Sequence, residues 1–162
     1  MTERADDAVL HPNLAPMTRY ADTCAAFTWR VPATFNFGAD VVDHWAQDPQ
    51  RLALIWESAA GETRSLTFAD MARLSSRFAN VLARHGVRRG DRVLVMMPRR
   101  PEWQIALVGC LKLGAVPIPC IEMLTTRDLE YRLDNSGAKA VFCRAEHAPK
   151  FAGIGPTADV RL

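Results

Sequence analysis

The chain has 162 residues, which is enough for one domain with a well-filled core. Hydrophobic residues make up 49% of the sequence and charged residues 23%, a balance that argues against disorder over most of its length. With 20 Lys and Arg against 18 Asp and Glu, the net charge of +2 is too small to indicate a nucleic-acid partner.

The sequence shows no sign of export or of disulfide cross-links. Its start is polar and acidic, and no apolar run approaches the ~18 residues needed to span a membrane. The cysteines lack CxxC spacing; they are Cys24, Cys110, Cys120 and Cys143. We therefore predict a cytoplasmic protein in which the cysteines are small buried hydrophobic residues.

Residues 1–36 show no sustained hydrophobic period and are predicted to form an irregular N-terminal arm, followed by a partial α/β unit over 37–162. Aromatic residues near the end of the arm indicate that it lies across a folded body. These residues are Phe27, Trp29, Phe35 and Phe37. A short helix is predicted over 40–47, and strands over 52–56 and 63–66 are expected to pair as a hairpin.

The clearest predicted helix begins at Thr67. Thr67 and Asp70 have the spacing at which a threonine hydroxyl accepts a free first-turn N–H. Apolar residues then recur every three or four positions until Gly86 provides a stop. This pattern is typical of a helix that buries one stripe against a core.

Three apolar strands follow, predicted at 91–97, 115–118 and 139–143. A helix is expected between each pair, the first with Pro101 in its first turn and the second with Thr125 as its cap. Strand, helix, strand, helix and strand with short loops make two consecutive βαβ units. The predicted fold class is therefore α/β with a parallel sheet.

The motifs indicate no catalytic residue and no metal site. Arg99 and Arg100 follow the end of a strand, where they would either contact an anion or act as solvated partners of Glu102. Trp103 would either line a pocket or pack in the core. The glycines of 153–158 fit a dinucleotide fingerprint only loosely and are interpreted as a loop.

Several stretches, taken in order, resemble a known family. The most specific are Met97-Pro-Arg-Arg-Pro-Glu-Trp103, Gly109-Cys-Leu-Lys-Leu-Gly-Ala-Val-Pro117 and Asp128-Leu-Glu-Tyr-Arg-Leu133. They resemble the N-terminal part of the AMP-forming acyl-CoA synthetases, in the adenylate-forming superfamily, and are most similar to medium-chain acyl-CoA and benzoate-CoA ligases. The resemblance runs from about Thr28 to the end of the sequence.

The resemblance implies an enzyme that activates a carboxylic acid with ATP and Mg²⁺ and passes the acyl group to coenzyme A. It also implies ATP-binding motifs, a Ser/Thr/Gly-rich loop ending in Lys and a Tyr-Gly-x-Thr-Glu stretch, neither of which occurs in 1–162. We therefore expect an incomplete part of the family's large N-terminal domain, inactive alone. The expected partner is a missing C-terminal portion or a second copy in a homo-oligomer.

The same resemblance implies that two residues form an edge of the coenzyme A site. In medium-chain relatives the loop after the second parallel strand approaches CoA, and Met123 stands where relatives can carry Gln. Some acetyl-type relatives place basic residues just after the third strand to meet the nucleotide phosphates, and Lys150 lies near there.

Two alternatives stay open. Residues 159–162 are typical of the start of another strand, so we expect an open sheet edge. That edge would suit a non-enzymatic module that binds CoA-like ligands or pairs with a separately encoded partner. A flavodoxin-like domain is disfavoured because no phosphate-binding loop follows the first parallel strand.

Overall fold

The structure is a computed structural model that describes residues 19–29 and 32–154. The strand predicted at 159–162 and most of the loop at 153–158 lie outside these ranges. Among the helices described, none has the length and apolar character needed to cross a membrane.

The described residues form two sheets and a set of helices. The strands are β1 (Leu52–Glu57), β2 (Thr63–Thr67), β3 (Arg92–Met96), β4 (Val116–Cys120) and β5 (Ala140–Cys143). The α-helices are α1 (Tyr20–Ala26), α2 (Phe68–Arg84), α3 (Pro101–Leu113) and α4 (Thr126–Ser136). A π-helical segment (Phe37–Asp43) precedes β1, and a 3₁₀ helix (Ala145–Phe151) follows β5.

The strands confirm the predicted hairpin and the predicted parallel sheet. β1 and β2 pair antiparallel, while β3 lies at the centre of a sheet with β4 on one side and β5 on the other, both parallel to it. The chain thus moves to one side of β3 and then crosses to the other. Because parallel crossovers are right-handed, this reversal places α3 and α4 on opposite faces of the sheet.

The two faces bury separate apolar clusters. The cluster on the face covered by α2 and α3 includes residues of both helices and consists of Leu82, Val87, Val93, Val95, Ala106, Cys110, Ala115 and Ala140. The cluster on the face covered by α4 includes residues of that helix and consists of Leu94, Met96, Cys120, Leu124, Leu129, Leu133, Ala138 and Val141. From Val93 to Met96 the side chains of β3 alternate between the clusters and are fully buried, as the unbroken apolar run in the sequence indicates.

Capping geometry sets where helices α2 and α4 begin. Thr67 and Thr125 each accept a hydrogen bond from the N–H three residues later, and the carboxylates of Asp70 and Asp128 each accept one from the N–H of the cap residue. These reciprocal bonds are the capping boxes that the spacing predicts. At its other end α4 meets Arg92, whose guanidinium donates to the carbonyls that the helix leaves free.

The prediction for 40–47 is wrong in its start and form. The segment is π-helical and begins at Phe37, because the Asn36 side chain accepts hydrogen bonds from Gly38 N and Ala39 N. The Asn36 amide also donates to Leu111 O at 2.8 Å, which fastens the segment to the end of α3. Lys112 strengthens the attachment through a 2.5 Å ion pair with Asp43.

The N-terminal arm differs from the prediction in two respects. The described part is not all irregular, since it holds α1, a seven-residue helix with no buried residue. An exposed helix has no apolar face, so it leaves no hydrophobic period in the sequence. Trp29 is 84% exposed and touches the neighbouring ring of Phe27, so Trp29 does not lie across the body as expected.

Candidate functional site

The carboxyl ends of β3 and β4 meet at a reversal of the chain path. The loop after β3 leads to α3 on one face, and the loop after β4 leads to α4 on the other. In open α/β sheets, ligands bind in the crevice that such diverging loops leave. This edge of the sheet is therefore the place to look for a site.

A cavity of about 460 Å³ opens at this edge. Its walls are largely apolar, and Arg99 and Arg100 are exposed parts of its lining. The other lining residues are Leu54, Trp56, Met97, Pro98, Pro101, Trp103, Gln104, Pro119, Cys120 and Ile121. Volume and composition are both typical of pockets for small organic ligands.

The β1–β2 hairpin forms one wall of the cavity through Trp56. The indole Nε1 of Trp56 donates to Arg99 O at 2.7 Å, and the Arg100 guanidinium lies 5.8 Å from the Trp56 ring centre. Trp103, on α3, lines the cavity and also packs against the core, so both readings of this residue hold. The sequence analysis missed Trp56, because only the folded hairpin brings it to this edge.

An ion-pair network stands beside the cavity. Glu102 accepts from Arg64 of β2 at 2.9 Å and lies 3.5 Å from Arg100. Burial opposes ionisation of Glu102, yet the hydrogen bond from Arg64 and the nearby guanidinium charges hold the pKa of this carboxyl below its usual range. Arg100 therefore pairs with Glu102, which is one of the two alternatives predicted for it. Contact of Arg99 with an anion stays a prediction.

The loop after β4 brings Met123 and Lys150 together. Lys150 Nζ donates to Glu122 O at 2.6 Å and to Leu124 O at 3.0 Å, the two carbonyls that flank Met123. The Met123 side chain itself is 84% exposed. Because an ammonium has three donors, two of those of Lys150 are committed to the loop. Direct contact of either residue with CoA stays a prediction.

A charged cluster surrounds the Glu122 carboxylate. Arg144 Nε donates to it at 2.7 Å, and His147 Nε2 lies 2.9 Å away. Ligand atoms of Glu122, Glu146 and His147 lie within 4.8 Å of one another, close enough to share a cation. Arg144, however, also pairs with Glu146 and brings a positive charge to both carboxylates. The sequence analysis missed Glu122 and left His147 without a role.

The four cysteines are free thiols, and burial makes three of them poor nucleophiles. Burial raises the pKa of the Cys110 thiol to about 12 and also raises the pKa values of Cys120 and Cys143. Cys120 lines the cavity, but a thiol that resists ionisation is a poor nucleophile. Cys24 is exposed, which corrects the expectation that it is buried, since it lies on α1, a helix with no buried residue.

A doubly wound parallel sheet with a cavity at its carboxyl edge defines a ligand-binding α/β protein. The family model described as AMP-binding enzyme matches residues 41–160, from the π-helical segment through the three parallel strands. The chain therefore belongs to the AMP-binding enzyme family.

Relatives within this family are acyl-CoA synthetases. The chain is 37% identical over 133 residues to acyl-coenzyme A synthetase ACSM2, mitochondrial, of Rattus norvegicus, covering 78% of this chain and 23% of the relative. It is also 40% identical over 131 residues to the ACSM4 enzyme of Mus musculus, covering 76% and 23%. The chain thus spans about a quarter of the length of the curated relatives it matches.

Solved structures agree with the fold and the family. An acyl-CoA synthetase from Brucella canis superimposes with a TM-score of 0.74 at 28% identity, over 98% of this chain and 28% of that one. A benzoate CoA ligase from Burkholderia xenovorans gives 0.64 at 26% identity, over 78% and 25%. The ATP-bound MatB from Rhodopseudomonas palustris gives 0.65 at 28% identity, over 77% and 24%. The predicted resemblance to the N-terminal part of this family is confirmed.

Proposed function

We propose that this chain supplies the N-terminal α/β unit of an enzyme that joins a carboxylic acid to coenzyme A at the expense of ATP. In that reaction a carboxylate oxygen attacks the α-phosphorus of ATP and pyrophosphate leaves. The thiol of CoA then attacks the acyl carbon and displaces AMP. The observation that carries the proposal is the 37% identity to an acyl-coenzyme A synthetase over 133 aligned residues, which cover 78% of this chain.

The proposal assigns the chain a supporting part in this chemistry. A carboxylate is a poor electrophile, and adenylation gives it a leaving group. Cationic side chains and Mg²⁺ offset the phosphate charge as it develops. The ATP-binding motifs expected from the family do not occur in 1–162. We therefore propose that residues 1–162 alone do not form the acyl-adenylate, and that Met123 and Lys150 stand at an edge of the CoA site.

The arrangement of the chain's start supports the proposed division into an arm over 1–36 and an α/β unit over 37–162. Asn36 caps the segment that begins at Phe37 and bonds to the end of α3, which supports a boundary at this point. The relatives above carry mitochondrial names, whereas the cytoplasmic location of this chain stays a prediction.

A chimera tests the proposed function. The segment of the rat ACSM2 enzyme that aligns with this chain is replaced by the matching 78% of this chain. We expect a folded chimera whose rate of acyl-CoA formation from a medium-chain fatty acid is within about tenfold of the parent's rate. This corresponds to a difference of at most about 1.4 kcal/mol in activation free energy. The parent with the segment deleted is the control and should be inactive.

Two outcomes decide against the proposal. A chimera that has the parent's circular dichroism and thermal stability but forms no acyl-CoA would overturn the assignment to an acyl-CoA synthetase. Separately, acid-dependent ATP–pyrophosphate exchange by the polypeptide 1–162 would overturn the proposal that it cannot adenylate alone. The two results are independent, because the first concerns the assembled enzyme and the second the isolated unit.

A second function has its own supporting observation, the cavity at the carboxyl edge, which the exposed Ile121 lines and which the exposed Met123 follows by two positions in the sequence. A unit of this kind could bind a CoA-like ligand or pair with a partner chain without catalysing a reaction. Titration of the chain with CoA, followed by amide chemical shifts, tests it. Saturable shifts confined to the two loops after β3 and β4 would favour this function, whereas unchanged spectra at millimolar CoA would exclude the ligand-binding form.

A further inference from the structure

The loop between β4 and α4 is held by polar side chains that follow β5. Lys150 reaches back to the carbonyls of Glu122 and Leu124, at 2.6 and 3.0 Å. The Glu122 carboxylate in turn accepts from Arg144 at 2.7 Å and meets His147 at 2.9 Å. We call Glu122, Arg144, His147 and Lys150 the loop clamp.

The clamp is needed because the loop has few apolar anchors of its own. Met123 is 84% exposed and Ile121 is 62% exposed, so neither side chain fixes the backbone by burial. Leu124, by contrast, is buried in the cluster below α4 and anchors the far end of the loop. Between these points the path of the chain depends on charge-assisted hydrogen bonds, which are stronger than neutral ones.

We infer that Glu122 and Lys150 are positioning residues that fix the place at which the loop presents Met123 to coenzyme A. This inference rests on the proposed function. Lys150 acts through the backbone on either side of Met123 and not by meeting a phosphate. If Lys150 turned away to contact a phosphate, two loop carbonyls would lose their hydrogen-bond donor. The phosphate contact would have to compensate for that loss of free energy.

Kinetics of the chimera distinguish the clamp from direct contact. We expect E122A and K150A each to raise KM for CoA about fivefold to tenfold, because misplacement of a binding loop weakens substrate positioning. ATP–pyrophosphate exchange, which precedes CoA binding, should change less than about twofold. The double variant should raise KM for CoA at least as much as either single variant, because E122A removes the carboxylate's contacts with Arg144 and His147 while K150A removes two separate bonds to loop carbonyls.

Pantetheine, which lacks the nucleotide phosphates of CoA, sharpens the comparison. The clamp predicts that K150A raises KM for pantetheine by the same factor as for CoA. Direct phosphate contact predicts no effect of K150A with pantetheine and none of E122A with either substrate, and that pattern would overturn the inference. E130A, which removes an exposed carboxylate from α4, is the matched control and should leave both constants unchanged.

Hydrogen exchange of the 162-residue chain separates this inference from the proposed function. In E122A and K150A the Leu124 amide, which donates to Ile121 O within the loop, should exchange at least about tenfold faster than in the wild type, while those of β3 keep their protection. Unchanged exchange in the loop would overturn the clamp even if the chimera is active. An inactive wild-type chimera with faster loop exchange in both variants would overturn only the proposed function.

Discussion

Gly109 on α3 lies where that helix comes closest to α2, and one added methyl group there tests the packing. A Cβ at this position would stand 2.8 Å from Ser75 O and 2.8 Å from Phe78 Cδ1. Favourable contacts of carbon lie near about 3.5–4.0 Å, so either the helices must separate or the Phe78 ring must turn. That ring meets Phe142 edge-on with centroids 4.8 Å apart, which ties it to the sheet.

The expected effect of Gly109→Ala follows from opposing contributions. Over-packing of a core contact costs about 1–3 kcal/mol. A disturbed aromatic pair adds about 0.5–1.5 kcal/mol. Alanine inside a helix recovers about 1 kcal/mol relative to glycine. The net expectation is a loss of roughly 0.5–3.5 kcal/mol in the free energy of unfolding, with Tm lower by about 2–4 °C for each kcal/mol.

Urea unfolding followed by tryptophan fluorescence measures this difference. Gly153→Ala serves as the control, because an added Cβ there meets no atom of the described residues within 4 Å, and its stability should stay within about 0.5 kcal/mol of the wild type. If Gly109→Ala proves as stable as the wild type or more so, helix propensity outweighs the contact. The close packing of α2 on α3 would then be refuted as a source of stability.

Two further predictions concern ionisable groups. The hydrogen bond from Arg73, followed by those from Thr67, holds the pKa of Asp70 below its usual range, so its stabilising effect is complete above about pH 4 and is lost as pH falls through the lower folded value. The stability gap between wild type and Asp70→Asn should therefore shrink on acidification, and a gap that is constant with pH would contradict this. Cys24 should react with a thiol reagent in the native chain, whereas Cys110, with its pKa near 12, should react only after unfolding. Peptide mass mapping of the modified chain measures both reactions, and equal rates would contradict the burial of Cys110.

Local signals in the sequence predict most of the parallel sheet. The unbroken apolar run of β3, the capping boxes of α2 and α4, and the proline in the first turn of α3 each depend on neighbours within four residues. The start of the π-helical segment was not predictable in this way, because the capping residue Asn36 is held by Leu111 O, 75 positions away.

The candidate site was less accessible to sequence reasoning for the same physical reason. The cavity forms where the hairpin residue Trp56 meets the loop after β3, and that contact spans 43 positions. The role of Lys150 depends on carbonyls 26 and 28 positions earlier. A resemblance to known enzymes pointed to Lys150, but only the folded chain shows that its ammonium serves the backbone of the loop beside Met123.

The proline pattern of β4 limits how the sheet can grow. Val116 N donates to Asp91 O next to β3, so every second residue of β4 faces that neighbour and Pro117 and Pro119 face the other way. Proline has no N–H, so the outer border of β4 offers carbonyls without the matching donors. A further strand, whether from this chain or another, could not form a regular ladder there. Enlargement of the sheet, and any aggregation through its borders, is thereby directed to β5.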